Sequence, residues 1–243
     1  MSAEPVASSG GCDTLASIDA DAAAIDAVAG QVALESSVPT CPGWTVADLL
    51  YHCGVLLELW NQVIERDLPS IREVEWTARP DDAGVRGYFV EQAAIARRVL
   101  AETPADRATW TFWGTRDVQF VRRRVAQELA VHRVDAQSAT RREPDPIDPL
   151  VAADGIDERL TVFTKVQPEG SVHVHCTDTE GEWLVVPGPE GAVVTREHAK
   201  GDAALRGPAS DLLLVLWNRK PLRAVETRGD AAMVQRYLEA SQI

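Results

Sequence analysis

The run Gln127-Glu128-Leu129-Ala130-Val131-His132 sets a carboxylate and an imidazole four residues apart, inside a stretch that reads as a helix from about Val118 to Thr140. On a helix that spacing brings both side chains to one face, about one turn apart. Glu128 and His132 continue the line of Val121 and Val125, so this polar pair lies on a stripe that otherwise reads as inward. A second histidine, His52 in Asp48-Leu49-Leu50-Tyr51-His52, borders another apolar stripe made of Leu49, Cys53, Leu56, Leu57, Trp60 and Ile64. Polar groups on inward stripes need partners, because an unpaired buried charge is very costly. A divalent metal would satisfy His52, Glu128 and His132 together, in a two-histidine, one-carboxylate site with open positions of the kind that suits catalytic zinc or non-haem iron(II). The same residue types also occur as a surface pair and as an ordinary core histidine, so spacing alone leaves the choice open. Asp135, one turn after His132, could orient its imidazole or equally pair with Arg133 or a neighbouring segment of the chain.

Outward from these segments, the first half reads as four helices. Ser17 to Ala33 is alanine-rich, with Ile18, Ala22, Ile25, Val28 and Val32 at helical spacing. Pro39, Pro42 and Gly43 interrupt it, and Thr45 with Asp48 three positions on forms a capping box that opens the helix of His52. A third helix runs from about Ala83 to Ala101, and the fourth carries Glu128 and His132. The aromatic-rich Trp110 to Gly114 reads as a loop between them. Four helices with one long connection predict a four-helix bundle.

Residues 141–149, with Pro144, Pro146 and Pro149 among mixed charges, read as a linker. The expected division is a helical bundle over 1–143 and a second domain over 150–243. Beyond the linker, Val151 to Val166 reads as a helix. Ser171 to Cys176, Trp183 to Val186 and Ala192 to Thr195 alternate with period two, and Ala203 to Arg206 adds a fourth strand. Ser210 or Asp211 then caps a helix through Trp217, and Gly229 to Ala240 is a last helix. This half reads as α+β, a small antiparallel sheet packed by helices.

Composition narrows the class. The chain has 243 residues, 45% of them hydrophobic, which is enough for a sizeable core and rules out neither one nor two domains. A net charge of −13 argues against nucleic acid or an anionic membrane as a partner. The run Arg122-Arg123-Arg124 reads as a solvated face. No segment is apolar enough to span a membrane, and Met1 to Gly11 reads as a loose polar tail, so a cytoplasmic location is expected. The four cysteines, Cys12, Cys41, Cys53 and Cys176, are scattered and read as free thiols. Cys53, beside His52, reads as a small buried hydrophobe. His173 and His175 share one strand face; without a carboxylate or cysteine in view on a second element, they read as an exposed sheet face. No G-x-G-x-x-G, P-loop, G-x-S-x-G or H-E-x-x-H occurs.

Three blocks carry a resemblance. Cys41-Pro42-Gly43-Trp44-Thr45-Val46-Ala47-Asp48-Leu49-Leu50-Tyr51-His52 resembles the Pro-Gly-Trp-Thr…His segment of the mycothiol-dependent maleylpyruvate isomerase family, a branch of the DinB-like metal-binding bundles. Glu128 to Ala136 resembles that family's second signature, and Leu205 to Leu212 with Leu216 to Pro221 is similar to its C-terminal domain. The resemblance implies a DinB-like four-helix bundle followed by a small, sterol-carrier-like α+β domain. It implies a divalent metal, zinc foremost, on His52, Glu128 and His132, with mycothiol as the thiol cofactor or cosubstrate. It also implies a catalytic role for Arg219, where this chain has Asn218 in place of the family's usual preceding glycine. Zinc deprotonates a low-molecular-weight thiol bound to it. The thiolate would add to an electrophile, ending in transfer or in cis–trans isomerisation, while Arg219 pairs with a substrate carboxylate. The expected partners are therefore a small-molecule thiol and a small anionic electrophile, at a site drawing on both halves. A hydrolase using metal-bound hydroxide and a non-catalytic binding protein remain the alternatives.

Overall fold

The computed structural model describes residues 13–163 and 166–241; the amino-terminal tail and Cys12 lie outside them. These residues fall into two compact units that divide between Asp145 and Pro146.

The unit before that division is helical: α1 (Thr14–Ala29), α2 (Val46–Glu65), α3 (Asp82–Glu102) and α4 (Val118–Ser138). Each helix starts where a side chain accepts from an otherwise unpaired amide. Asp13 accepts from Ala16, Asp81 from Gly84, and Asp117 from Phe120. At α2 the capping box is complete, with Thr45 accepting from the Asp48 amide at 3.2 Å and Asp48 accepting from the Thr45 amide at 2.9 Å. The apolar stripes then meet: Leu49, Leu57, Ile64, Phe89, Leu100 and Leu129 are all essentially inaccessible to solvent. Each such side chain contributes on the order of 1.5–3 kcal/mol by leaving water. The segment Trp110 to Gly114 lies in the turn of a two-stranded ribbon, β1 (Ala108–Thr109) with β2 (Arg116–Asp117), which leads directly into α4.

One expectation fails in this unit. Arg123 and Arg124 are buried rather than solvated, and Arg122 donates to the carbonyls of Leu100 and Thr103. The run sits inside α4, where the helix is packed on its neighbours, so its cations need internal acceptors, and Arg124 finds one in Glu128 at 2.6 Å.

The second unit contains α5 (Pro149–Val162), β3 (Val172–Cys176), β4 (Glu182–Gly188), β5 (Gly191–Thr195), β6 (Ala203–Gly207), α6 (Ala209–Leu216), β7 (Glu226–Gly229) and α7 (Ala231–Ala240). The strands form one sheet in the order β5-β4-β3-β6-β7. The sheet is mixed rather than antiparallel, because β3 and β6 pair in parallel, Val172 opposite Ala203 through Cys176 opposite Gly207. The β4–β5 hairpin and the loop after it return the chain to the start of β3, so β6 must run alongside it in the same direction. Strand β7 was not anticipated; it is a short polar edge strand without an apolar alternation to reveal it. The cap of α6 is also corrected. The helix starts after Pro208, its first amide donating to Asp178 Oδ1 at 2.8 Å rather than to Ser210 or Asp211, and Ser210 Oγ instead accepts the Ile147 amide at 2.9 Å. Among the described residues no helix is long and apolar enough to cross a membrane.

Candidate metal centre

The loop before α2 shapes the first wall of the site. Gly43 adopts φ +86°, a backbone conformation that disfavours any side chain, and the turn it makes is closed by the Trp44 amide donating to the Cys41 carbonyl. Trp44 is thereby held over two imidazoles. Its ring lies 5.0 Å from that of His52 and 6.4 Å from that of His132, nearly parallel to the latter at 22°. Trp44 belongs to the quoted motif, yet its spacing in sequence carries no sign of this role.

His52 comes from the second turn of α2, and Glu128 and His132 from successive turns of α4. The two imidazole centroids are 4.8 Å apart, set edge to face. One ligand atom from each of His52, Glu128 and His132 can be chosen so that all lie within 4.8 Å of one another. The surroundings aim these atoms. His132 Nδ1 lies 2.9 Å from Asp135 Oδ2; since a carboxylate can only accept, Nδ1 carries the proton and Nε2 turns toward Glu128 Oε2, at 3.4 Å. The other Glu128 oxygen receives Arg124 at 2.6 Å. Burial alone would raise the Glu128 carboxyl, but Arg124 and His132 outweigh it and hold the group ionised well below the usual carboxylate range. Burial would likewise lower His132, but Asp135 and Glu128 prevail and carry it up to about 9.

The donor set suits a divalent ion. It offers two imidazoles and one ionised carboxylate, with His132 held by Asp135 and Glu128 held by Arg124, and with His52 and Glu128 half-buried rather than sealed. Cys41, His132 and Asp135 form another group within the same reach. All three are buried, and Asp135 is already engaged with His132, so that group has no face for an exchangeable ligand. The set containing His52 does: an open pocket of about 450 Å³ is lined by Gly43, Trp44, Asp48, Tyr51, His52, Val55 and Arg79. Arg79 places a cation at this pocket, tied to Asp48 at 2.8 Å and lying over the Tyr51 ring at 5.1 Å. Nothing in its sequence context pointed to it. Cys53 is fully buried, and burial raises its thiol well above the ordinary range, so it is no nucleophile.

Arg219 lies in the second unit, just past α6. The helix ends in a Schellman motif: the Arg219 amide donates to Leu214 O at 2.7 Å and the Asn218 amide to Val215 O at 3.0 Å. Asn218 takes φ +58°. Asparagine tolerates that left-handed conformation better than most residues, so the backbone that glycine would supply is kept. The Arg219 side chain donates to Trp217 O at 2.9 Å.

Known protein families match both units. The mycothiol maleylpyruvate isomerase N-terminal domain matches residues 15–137, and the C-terminal domain of the same family matches residues 151–236. No curated protein matches. Among solved structures, the mycothiol-dependent maleylpyruvate isomerase aligns at 13% identity with TM-score 0.65, covering 88% of this chain and 91% of that one. A histidine-to-alanine variant of it aligns over the same shares at 13% identity and TM-score 0.66. A ubiquinone synthesis protein described as UbiJ-SCP2, at 20% identity, covers 40% of this chain and 93% of that one with TM-score 0.30, too slight a likeness to carry weight. With more than half of its residues matched by the two domains, the chain belongs to the mycothiol maleylpyruvate isomerase family.

Proposed function

We propose that the protein is a metal-dependent enzyme that uses mycothiol to isomerise, or to transfer the thiol to, a small anionic electrophile. The observation that carries this reading is the convergence of His52, Glu128 and His132 beside an open pocket, in a chain of this family. His52, Glu128 and His132 would hold the metal, zinc foremost. When bound, the metal supplies a Lewis acid that makes a thiol nucleophilic at neutral pH.

The chain's own residues supply the rest. Asp135 holds one His132 proton on Nδ1, so that Nε2 is the atom that would serve as a ligand once its own proton is expelled. Arg124 keeps Glu128 ionised. Trp44 packs against both imidazoles. Arg219 is proposed to pair with a substrate carboxylate and to stabilise negative charge as it develops.

The test is a screen of the metal-loaded protein against a panel of electrophiles, including cis-unsaturated oxo acids, with and without mycothiol. Isomer or thioether formed only when both metal and mycothiol are present supports the reading. Hydrolysis proceeding equally without thiol would replace it with the hydrolase alternative.

A further inference from the structure

The chain has five histidines, and the described fold gathers them into two groups. His52 and His132 form one. The other three, His173, His175 and His198, meet around a single carboxylate in the second unit, in a place that has no part in the function proposed above. This overturns the expectation that His173 and His175 lie on an exposed face without a carboxylate in reach: His173 is 8% exposed.

The fold explains the meeting. His173 and His175 alternate on β3 and so share a face. In the antiparallel pairing of β3 with β4, His175 stands directly opposite Glu182. His175 Nδ1 approaches Glu182 Oε1 at 2.7 Å, and His173 Nε2 approaches Glu182 Oε2 at 3.3 Å. His198 arrives from the loop after β5, its Nδ1 at 2.6 Å from Glu182 Oε2. The ring centroids stand 6.0, 5.4 and 6.4 Å apart.

That loop is fixed on both sides of His198. Arg196 clamps Asp157 with Nε to Oδ1 at 2.6 Å and Nη2 to Oδ2 at 2.9 Å, and Asp157 also accepts from Trp183 Nε1. Gly201 passes so close to β3 that a Cβ there would lie 3.0 Å from the His173 amide nitrogen. The nearest cation on the adjoining strand, Arg206 opposite His175, is paired with Glu226 at 3.4 Å.

We propose that His173, His175, His198 and Glu182 form a second metal site, for a divalent ion of zinc type, that pins the 196–201 loop to the sheet. Three imidazoles and a carboxylate make a complete tetrahedral ligand set for zinc, with ligand atoms already within 4.8 Å of one another. One carboxylate accepting from three imidazoles is a crowded arrangement, and an ion placed among the four turns that crowding into coordination. With all four positions filled by protein and the ligands spread over two strands and a loop, its work is structural rather than catalytic.

The experiment uses the full chain with His52→Ala and His132→Ala, so that the site beside Trp44 does not contribute. Calorimetric titration of this metal-stripped protein with zinc should show one equivalent binding, and melting should shift upward with zinc. Adding His198→Ala, an exposed position whose loss leaves the core intact, should weaken zinc by at least about a hundredfold and abolish the shift; even outer partners of a metal ligand are worth about 10–100-fold. Glu182→Gln should do the same. No zinc uptake by the double-alanine protein at micromolar concentration would overturn the proposal, as would uptake unchanged by either added substitution. The outcome is independent of the proposed enzymatic function.

Discussion

In the proposed function a proton and a metal ion compete for His132. Its imidazole is carried to about 9 by Asp135 and Glu128 against the opposing effect of burial, so without metal it is an imidazolium at neutral pH. An entering ion must expel that proton. The affinity for metal should therefore fall about tenfold for each pH unit below 9, and calorimetry at pH 7 in buffers of different ionisation enthalpy should register about one proton released per ion. Release of none would mean that His132 is not a ligand. In the metal-free chain the same raised pKa acts on stability. Its contribution is fully present below the ordinary histidine value of 6.5 and is lost as pH rises through about 9. Melting of the metal-free protein should reveal that decline, and Asp135→Asn should shrink it.

At the scale of elements, the approach of α2 to α3 is set by Gly54. A Cβ there would lie 2.5 Å from the Tyr88 ring, and the ring cannot swing aside because its hydroxyl donates to Glu58 at 2.9 Å in a buried position. Replacing glycine with alanine within a helix ordinarily gains up to about 1 kcal/mol, while overpacking costs about 1–3 kcal/mol. The clash should win, so Gly54→Ala is expected to destabilise the protein by about 1 kcal/mol in chemical denaturation; stabilisation would show that α3 gives way easily. Thr45→Ala, which removes half of the capping box, should also cost about 1 kcal/mol.

The local signals in the sequence were legible for a physical reason. Thr45 with Asp48, the periodic stripes of α2 and α4, and the alternation of β3 each write their structure within a few neighbouring residues. What the sequence hid depends on distant partners. Arg124 reads as solvated until Glu128 and the packing of α4 are seen together. The histidines of β3 lack a carboxylate until strand pairing brings Glu182 across and a loop closure brings His198. Trp44 and Arg79 become neighbours of His52 only once the chain has turned at Gly43 and returned past α2. The likeness of three short blocks to a known family favoured a metal set where spacing left the choice open.

For the molecule as a whole, the second unit enters the proposed function through Arg219, proposed to pair with a substrate carboxylate. Arg219→Ala should retain metal at the His52 set yet lose about a hundredfold in turnover on an anionic substrate, the usual loss on removing a charge-stabilising donor. Unchanged kinetics on a carboxylate substrate would leave Arg219 as no more than the end of α6. The central claim, that His52, Glu128 and His132 present a metal to a thiol, is tested most directly with cobalt(II) in place of the native ion and mycothiol added. The account predicts a sulfur-to-cobalt charge-transfer absorption that appears on adding mycothiol, persists in His198→Ala and disappears in His52→Ala. Absence of that band from the parent protein, or its survival in His52→Ala, would contradict the account.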